Sequence, residues 1–346
     1  MNTMKKTTFI VLLLAGLAAC NSKDKGPDLS GIKVDLKIER YDRDFFAIDT
    51  NFIVPGLNNL DQKYPGLTNL FIQQVIGVNP DSVETGVKNF LHMSAKLYDT
   101  INVVFPETGK LQQDFTEAFR HIKYYFPKYE LPRVVTIAGP VDALAQSDAG
   151  PTPDFLRPGM LGISLQFYLG NNFSVYHDPY FIQNVAPEYR SRRFSKEYII
   201  ADALNLIIND ISPDQSERKP LIEQMIEKGK RWWLLDQFIP NAPDSIKTGY
   251  TQAQLDWCNG NEGMIWSYLV KNEDLNSLNP AIIQAYIGES PFTQGFSQEY
   301  SPGNMGQWIG RQIVKKYFSK NKDIKPLELM QTDPKKILEE AKYKPR

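Results

Sequence analysis

Leu131-Pro132-Arg133-Val134-Val135-Thr136-Ile137-Ala138-Gly139 is the stretch on which the fold class turns. Its β-branched density and the Gly139-Pro140 stop predict a buried strand followed by a turn. A second strand is expected over Met160 to Tyr168, where Ile163, Leu165 and Phe167 alternate with Ser164 and Gln166. A third is expected from Lys33, where Val34, Leu36 and Ile38 alternate before Glu39 to Phe46 turns the chain helical. Helical spacing follows in Phe71 to Gly77, Ser82 to Asp99 and Gly109 to Tyr125. Gly170 to Arg193 is polar and aromatic with Pro179 and Pro187, and predicts a long connecting loop of the kind that carries function. Beyond it the pattern is helical over Ser195 to Ile211, Pro220 to Phe238, Thr251 to Leu269, Pro280 to Gly288, Gly306 to Tyr317 and Pro326 to Met330. Thr251 with Gln254 has the spacing of a capping box, and Asp333-Pro334 places an N-cap before a proline. With no fixed-period repeat, the expectation is an α+β fold, predominantly helical, with a small sheet in the first half.

The 346 residues are 42% apolar and carry 39 basic against 40 acidic side chains, a formal charge of -1. That supplies a sizeable core and lacks the basic footprint of phosphate binding, so no nucleic-acid partner is expected. At the N-terminus, Lys5 and Lys6, the apolar Phe9 to Leu17 and the small residues after it form a secretory signal over residues 1–19. Leu17-Ala18-Ala19-Cys20 resembles the lipobox of bacterial lipoproteins. Cys20 would then be the first mature residue, carrying a diacylglycerol and an N-acyl lipid that anchor the chain to a membrane. Residues 20–31 read as a flexible tether and 32–346 as a single α+β domain. With Cys20 consumed, Cys258 has no disulfide partner; beside Trp257 in a helical pattern it reads as a buried small hydrophobe.

Strong catalytic motifs are absent from the sequence: G-x-G-x-x-G, the P-loop, H-E-x-x-H, C-x-x-C and G-x-S-x-G. Gly288-Glu289-Ser290-Pro291 approaches a nucleophile elbow and lacks its second glycine. His92, His121 and His177 are far apart, so a histidine-built metal site would need distant segments. Asp202 with Asp210, and Glu223 with Glu227, read as solvated helix faces. His177 in Tyr176-His177-Asp178-Pro179-Tyr180 reads as a surface or turn histidine, with a general base or glycan contact as the alternative. Trp232, Trp233 and Trp308 fall among Leu and Ile at helical spacing and read as core.

Several blocks carry a family resemblance. They are Ile38 to Phe46 (IERYDRDFF), Gly162 to Gly170 (GISLQFYLG), Gly249 to Cys258 (GYTQAQLDWC) with Asn261-Glu262, Pro291 to Phe296 (PFTQGF), Gly306 to Val314 (GQWIGRQIV) and Ala341 to Pro345 (AKYKP). In this order, after a lipobox, they resemble the gliding-motility lipoprotein GldB family. The resemblance implies a lipoprotein of the cell envelope, facing the periplasm. It would support gliding with the motility and type IX secretion machinery, as a structural or assembly component with no catalysis and no cofactor beyond its lipid.

A second resemblance is to a zinc-peptidase group whose H-E-x-x-H helix precedes a helix bearing E-G-x-A. It places the histidines at Ala201 and Asn205, the base at Asp202 and the third ligand at Lys228, beside Glu227. Ala and protonated Lys offer zinc no lone pair, so the resemblance implies a degenerate zincin-like scaffold. Asp202, Asn205, Glu227 and Lys228 would be its vestigial groove, with no metal. Two further readings stay open: a metal-dependent peptidase or peptidoglycan hydrolase, and a surface glycan-binding lipoprotein suggested by 17 Tyr and 5 Trp.

Overall fold

A computed structural model of the chain describes residues 26–147, 150–272 and 275–345; the signal segment and Cys20 lie outside them. Five short strands lie at the end of the first half: β1 (Arg133–Ile137), β2 (Ala145–Ser147), β3 (Gly150–Thr152), β4 (Phe155–Arg157) and β5 (Met160–Ser164). Before them come α1 (Tyr41–Phe46), α2 (Ile53–Lys63), α3 (Leu67–Leu70) continuing as a π turn over Phe71–Val75, α4 (Val83–Met93), α5 (Ala95–Val104) and α6 (Gly109–Tyr125). After them come α7 (Pro179–Asn184), α8 (Glu188–Ser191), α9 (Ile199–Ile211), α10 (Leu221–Phe238), α11 (Asp244–Thr248), α12 (Gln252–Gly260) and α13 (Glu262–Asn272). The last are α14 (Pro280–Ile287), α15 (Met305–Lys320), α16 (Pro326–Gln331) and α17 (Pro334–Ala341). The fold is predominantly helical α+β.

The main sheet has the order β1-β5-β4, with β1 parallel to β5 and β4 antiparallel to it. β5 is buried along its whole length. Its glycine has a specific cause: a Cβ at Gly162 would meet the Phe155 ring at 2.1 Å, so the ring occupies the place of a side chain. Alternate residues of β1 and β5 serve two cores, as a strand's period of two requires. Val134, Leu161 and Ile163 face a core shared by α5, α6 and the helices of the second half, whereas Val135, Ile137 and Met160 face one built on α1 to α4. The smaller core is aromatic, with Phe45 and Phe71 at 4.8 Å and Tyr41 and Tyr64 at 5.1 Å between ring centroids. Edge-to-face pairs of this kind add about 0.5–1.5 kcal/mol each beyond area burial.

Four local expectations are corrected. Residues 33–38 form no strand: the segment is extended along α6, where Arg120 donates to Leu29 O (2.7 Å) and Ile32 O (3.1 Å), and the chain joins the sheet only by a parallel bridge from Glu39 to Val135. The alternation reports which side chains are buried, not whether the backbone pairs. Met160 to Tyr168 is a strand only to Ser164 and then tightens into a 3-10 turn over Leu165–Phe167. Gly170 to Arg193 is not one loop but contains a 3-10 turn (Ser174–His177), α7 and α8; Asp178 caps α7 by accepting from Tyr180 N–H at 2.9 Å. The region expected as one helix from Thr251 is two, α12 and α13, and the Thr251–Gln254 capping box is formed as expected.

α10 and α15 cross at the closest approach in the second half. A Cβ at Gly229 would meet Gly310 C at 2.1 Å, and one at Gly310 would meet Met225 O at 1.7 Å, so only glycine lets the backbones touch. Trp233 and Trp308 are buried beside this crossing, in their expected core role. The crossing also buries a charge cluster. The Arg311 guanidinium, 1% exposed, donates to Asp236 through Nε (2.9 Å) and Nη2 (2.5 Å), and to Asp244 at 2.8 Å. Lys247 lies 3.0 Å from Asp236. Burial alone would raise the Asp244 carboxyl; the Arg311 hydrogen bond and charge outweigh it and hold the group at about 2.

Candidate functional site

The Gly249 and Pro291 blocks converge, with residues just before the Gly306 block, on one cleft. Its walls are Tyr189 and Arg192-Arg193, Thr248-Gly249-Tyr250 with Gln254, Glu289-Ser290-Pro291, and Pro302-Gly303-Asn304. Gly249 has φ +71°, and a Cβ there would meet Arg193 Cδ at 2.8 Å, so glycine both makes the turn after α11 and gives Arg193 its path. The Tyr250 hydroxyl, 3.1 Å from Gly303 O and 2.9 Å from Asn304 Oδ1, holds the opposite wall.

α8 and the turn after it present three guanidinium groups. Arg193 donates to Glu289 at 2.9 Å, Arg190 lies 3.7 Å from the same carboxylate, and Arg190 also donates to Pro151 O. Arg192 differs: it donates to Tyr189 O (3.0 Å), Gly249 O (2.7 Å) and Gln254 Oε1 (3.4 Å), all neutral. Burial and the neighbouring Arg193 charge push the Arg192 pKa down. On Glu289, burial acts upward and the Arg193 and Arg190 charges overcome it, so the carboxyl titrates low.

Behind Arg193 stands a buried acid pair. Tyr168 Oη lies 2.7 Å from Asp154 Oδ2 and 3.3 Å from Asp202 Oδ2, and Asp154 accepts from Ser164 N–H at 3.0 Å. Burial raises Asp154 to about 8 and Asp202 to about 6, the latter against the pull of Arg193. One hydroxyl proton cannot serve two carboxylates. The network closes when neutral Asp154 donates to the Tyr168 oxygen and Tyr168 donates to ionised Asp202.

The vestigial-groove residues are distributed between separate contacts. Asp202 on α9 meets Tyr168; Asn205 lies half-buried one turn further on. On α10, Glu227 holds Lys219 and Lys230, each at 2.7 Å, and Lys228 donates to Asp214. Lys230 in turn donates to Met330 O (2.9 Å) and Thr332 O (3.1 Å), closing the end of α16. Among the described residues no group of three or more His, Cys, Asp or Glu could hold a metal ion.

Ser290 Oγ donates to Phe292 O at 2.8 Å. His177 is exposed with Nε2 2.6 Å from Asn171 O, His121 is buried against Glu117 O, and His92 lies in a separate, larger pocket of about 470 Å³. That pocket, between α1, α4 and α5, is floored by the Phe46–Tyr98 stack at 3.9 Å. Cys258 is fully buried, and burial pushes its thiol up to about 12, as expected of an inert small hydrophobe. Asp154, Arg190, Arg192, Arg193 and Glu289 were not singled out from the sequence as a site. The signal present there is Arg190-Ser191-Arg192-Arg193, three guanidinium groups in four positions.

Among the described residues no helix is long and apolar enough to cross a membrane. A family model described as gliding motility protein GldB matches residues 22–345. Neither the curated proteins nor the solved structures contain a match to the chain.

Proposed function

The chain belongs to the gliding motility protein GldB family, and on that premise we propose that it is a non-catalytic envelope lipoprotein. Cys20 anchors it to a membrane, the folded chain faces the periplasm, and it works as a structural or assembly component beside the gliding and type IX secretion machinery. The observation that carries the non-catalytic reading is the state of the groove. Where a zinc ligand would stand, the Lys228 ammonium is engaged by Asp214, and Asp202 is committed to Tyr168. An ammonium in an ion pair offers a metal no lone pair.

Cys20→Ala tests the anchoring: gliding and membrane association are both expected to be lost, and gliding by soluble protein would refute it. Metal analysis with a peptide and peptidoglycan hydrolysis assay tests the rest. No stoichiometric zinc and no hydrolysis are expected; bound zinc with turnover would restore the hydrolase reading.

A further inference from the structure

We propose that the pocket between α1, α4 and α5 is a saccharide site, in which a pyranose ring lies against Tyr98 and its hydroxyls bond to the polar rim. This goes beyond the anchored role proposed above and does not depend on it.

The floor of the pocket is aromatic. Phe46 and Tyr98 stack at 3.9 Å with 9° between their planes. Phe45 and Phe90 also pack on Phe46, whereas half-buried Tyr98 has Phe46 as its one ring partner among the described residues, so the aromatic surface left to a ligand is mainly that of Tyr98. The face of an aromatic ring is electron-rich, and the C–H face of a pyranose presents the apolar, weakly positive surface that suits it. Around this floor stand Lys88, Asn89 and His92 on α4, Asp99 on α5 and Thr50 on the loop after α1. Spacings of three and four residues put the α4 set on one helix face. None of these five side chains has a hydrogen-bond or ion-pair partner among the described residues. In the cleft at Arg192, by contrast, the guanidinium donors are spent on Tyr189, Gly249, Gln254 and Glu289.

The chemistry of the rim favours a neutral, hydroxyl-rich ligand. Lys88 and Asp99 offset each other, so an anion would meet a carboxylate and a cation an ammonium. Thr50 and Asn89 both donate and accept, as sugar hydroxyls do. A wholly apolar ligand would dehydrate these groups without pairing them. At about 470 Å³ the pocket falls within the range of small-molecule sites, about 300–1,000 Å³. It is open on one side, which leaves a bound ring room to continue into a longer glycan.

None of the five tryptophans lines the pocket, so tryptophan fluorescence would be silent and the test is ligand-observed NMR. Saturation-transfer difference spectra of the purified protein are recorded with cellotriose, maltotriose and chitotriose at millimolar concentration, and with sorbitol, which has the hydroxyls and no pyranose face. At least one trimer is expected to receive saturation, most strongly at its ring C–H protons, and sorbitol is not. Tyr98→Ala should reduce the transfer several-fold. Asp99→Asn and Asn89→Ala, both at exposed positions, should each weaken it without disturbing the fold, and urea midpoints check that every variant is folded. Binding of chitotriose alone would support the site and assign it to N-acetylated glycan; binding of the hexose trimers would support it and assign it to a neutral polysaccharide. No transfer to any trimer, equal transfer to sorbitol, or a signal indifferent to Tyr98→Ala and Asp99→Asn would overturn the proposal. That failure would leave the anchored role untouched, because Cys20→Ala reads the latter through gliding and membrane association.

Discussion

Two of the charge clusters buried in this molecule are built on opposite principles. Around Arg311, the donors and the acids meet in short bonds, and the Asp244 carboxyl is held at about 2. Around Tyr168, two acids share one hydroxyl, and Asp154 and Asp202 are raised to about 8 and about 6. The first cluster gains from ionisation and sits at the crossing of α10 and α15. The second is strained by it and adjoins the open cleft. Perturbed groups of the second kind mark functional sites more often than paired ones do.

The contrast can be broken first at the paired centre. Asp236→Ala would leave Arg311 buried without its principal partner, and should cost about 3–5 kcal/mol in urea unfolding; a loss below about 1 kcal/mol would mean that the cluster is not holding the crossing. Gly310→Ala attacks the same contact through sterics alone and should cost about 3 kcal/mol or somewhat less, because backbone rather than a flexible side chain stands in the way. Tyr168→Phe, at the other centre, removes the shared hydroxyl and should cost about 1–3 kcal/mol.

The sharpest comparison is the slope of stability with pH. Asp154 has its folded pKa raised from 3.8 to about 8, so its contribution is complete below about pH 4 and is lost as pH rises to 8. Asp244 is lowered to about 2, so its contribution is complete above about pH 4 and is lost as pH falls toward 2. Asp154→Asn should therefore flatten the decline between pH 4 and 8, and Asp244→Asn should soften the acid limb. Urea midpoints across pH 2 to 9 read both; an unchanged slope in Asp154→Asn would mean that Asp154 is already ionised in the folded protein.

Long, periodic helices were legible in the sequence. α6 spans Gly109 to Tyr125 as its spacing predicts, and the α12 start follows from Thr251 and Gln254. The misreadings have physical causes. Residues 53–63 carried no reading; α2 begins there as Ile53-Val54-Pro55-Gly56, and a proline in the first turn takes no hydrogen bond from the helix, because those N–H groups have no partner anyway. The short α7 and α8 lie within a proline-bearing stretch where no 3.6-residue period has room to develop. The site was less legible still. Asp154, Tyr168, Arg193, Asp202 and Glu289 come from five separate elements or turns, and only the fold brings them together. The block around Gly249, which carried the family resemblance, lines the cleft, while the arginines that charge it lay in the segment read as loop.

The extended arm from Gly26 to Glu39 has a mechanical consequence. Tension applied at Gly26 runs along the chain past the Arg120 contacts at Leu29 and Ile32, then the Ile38 N–H bond to Gln112, and reaches the sheet at Glu39. There Glu39 N–H donates to Val134 O and Glu39 O accepts from Thr136 N–H, a parallel bridge that the pull loads in shear rather than peeling one bond at a time. The arm yields in stages, outer contacts first, before the load falls on the layer between the two cores. Survival under a steady tug is then set by how slowly that bridge ruptures rather than by equilibrium stability.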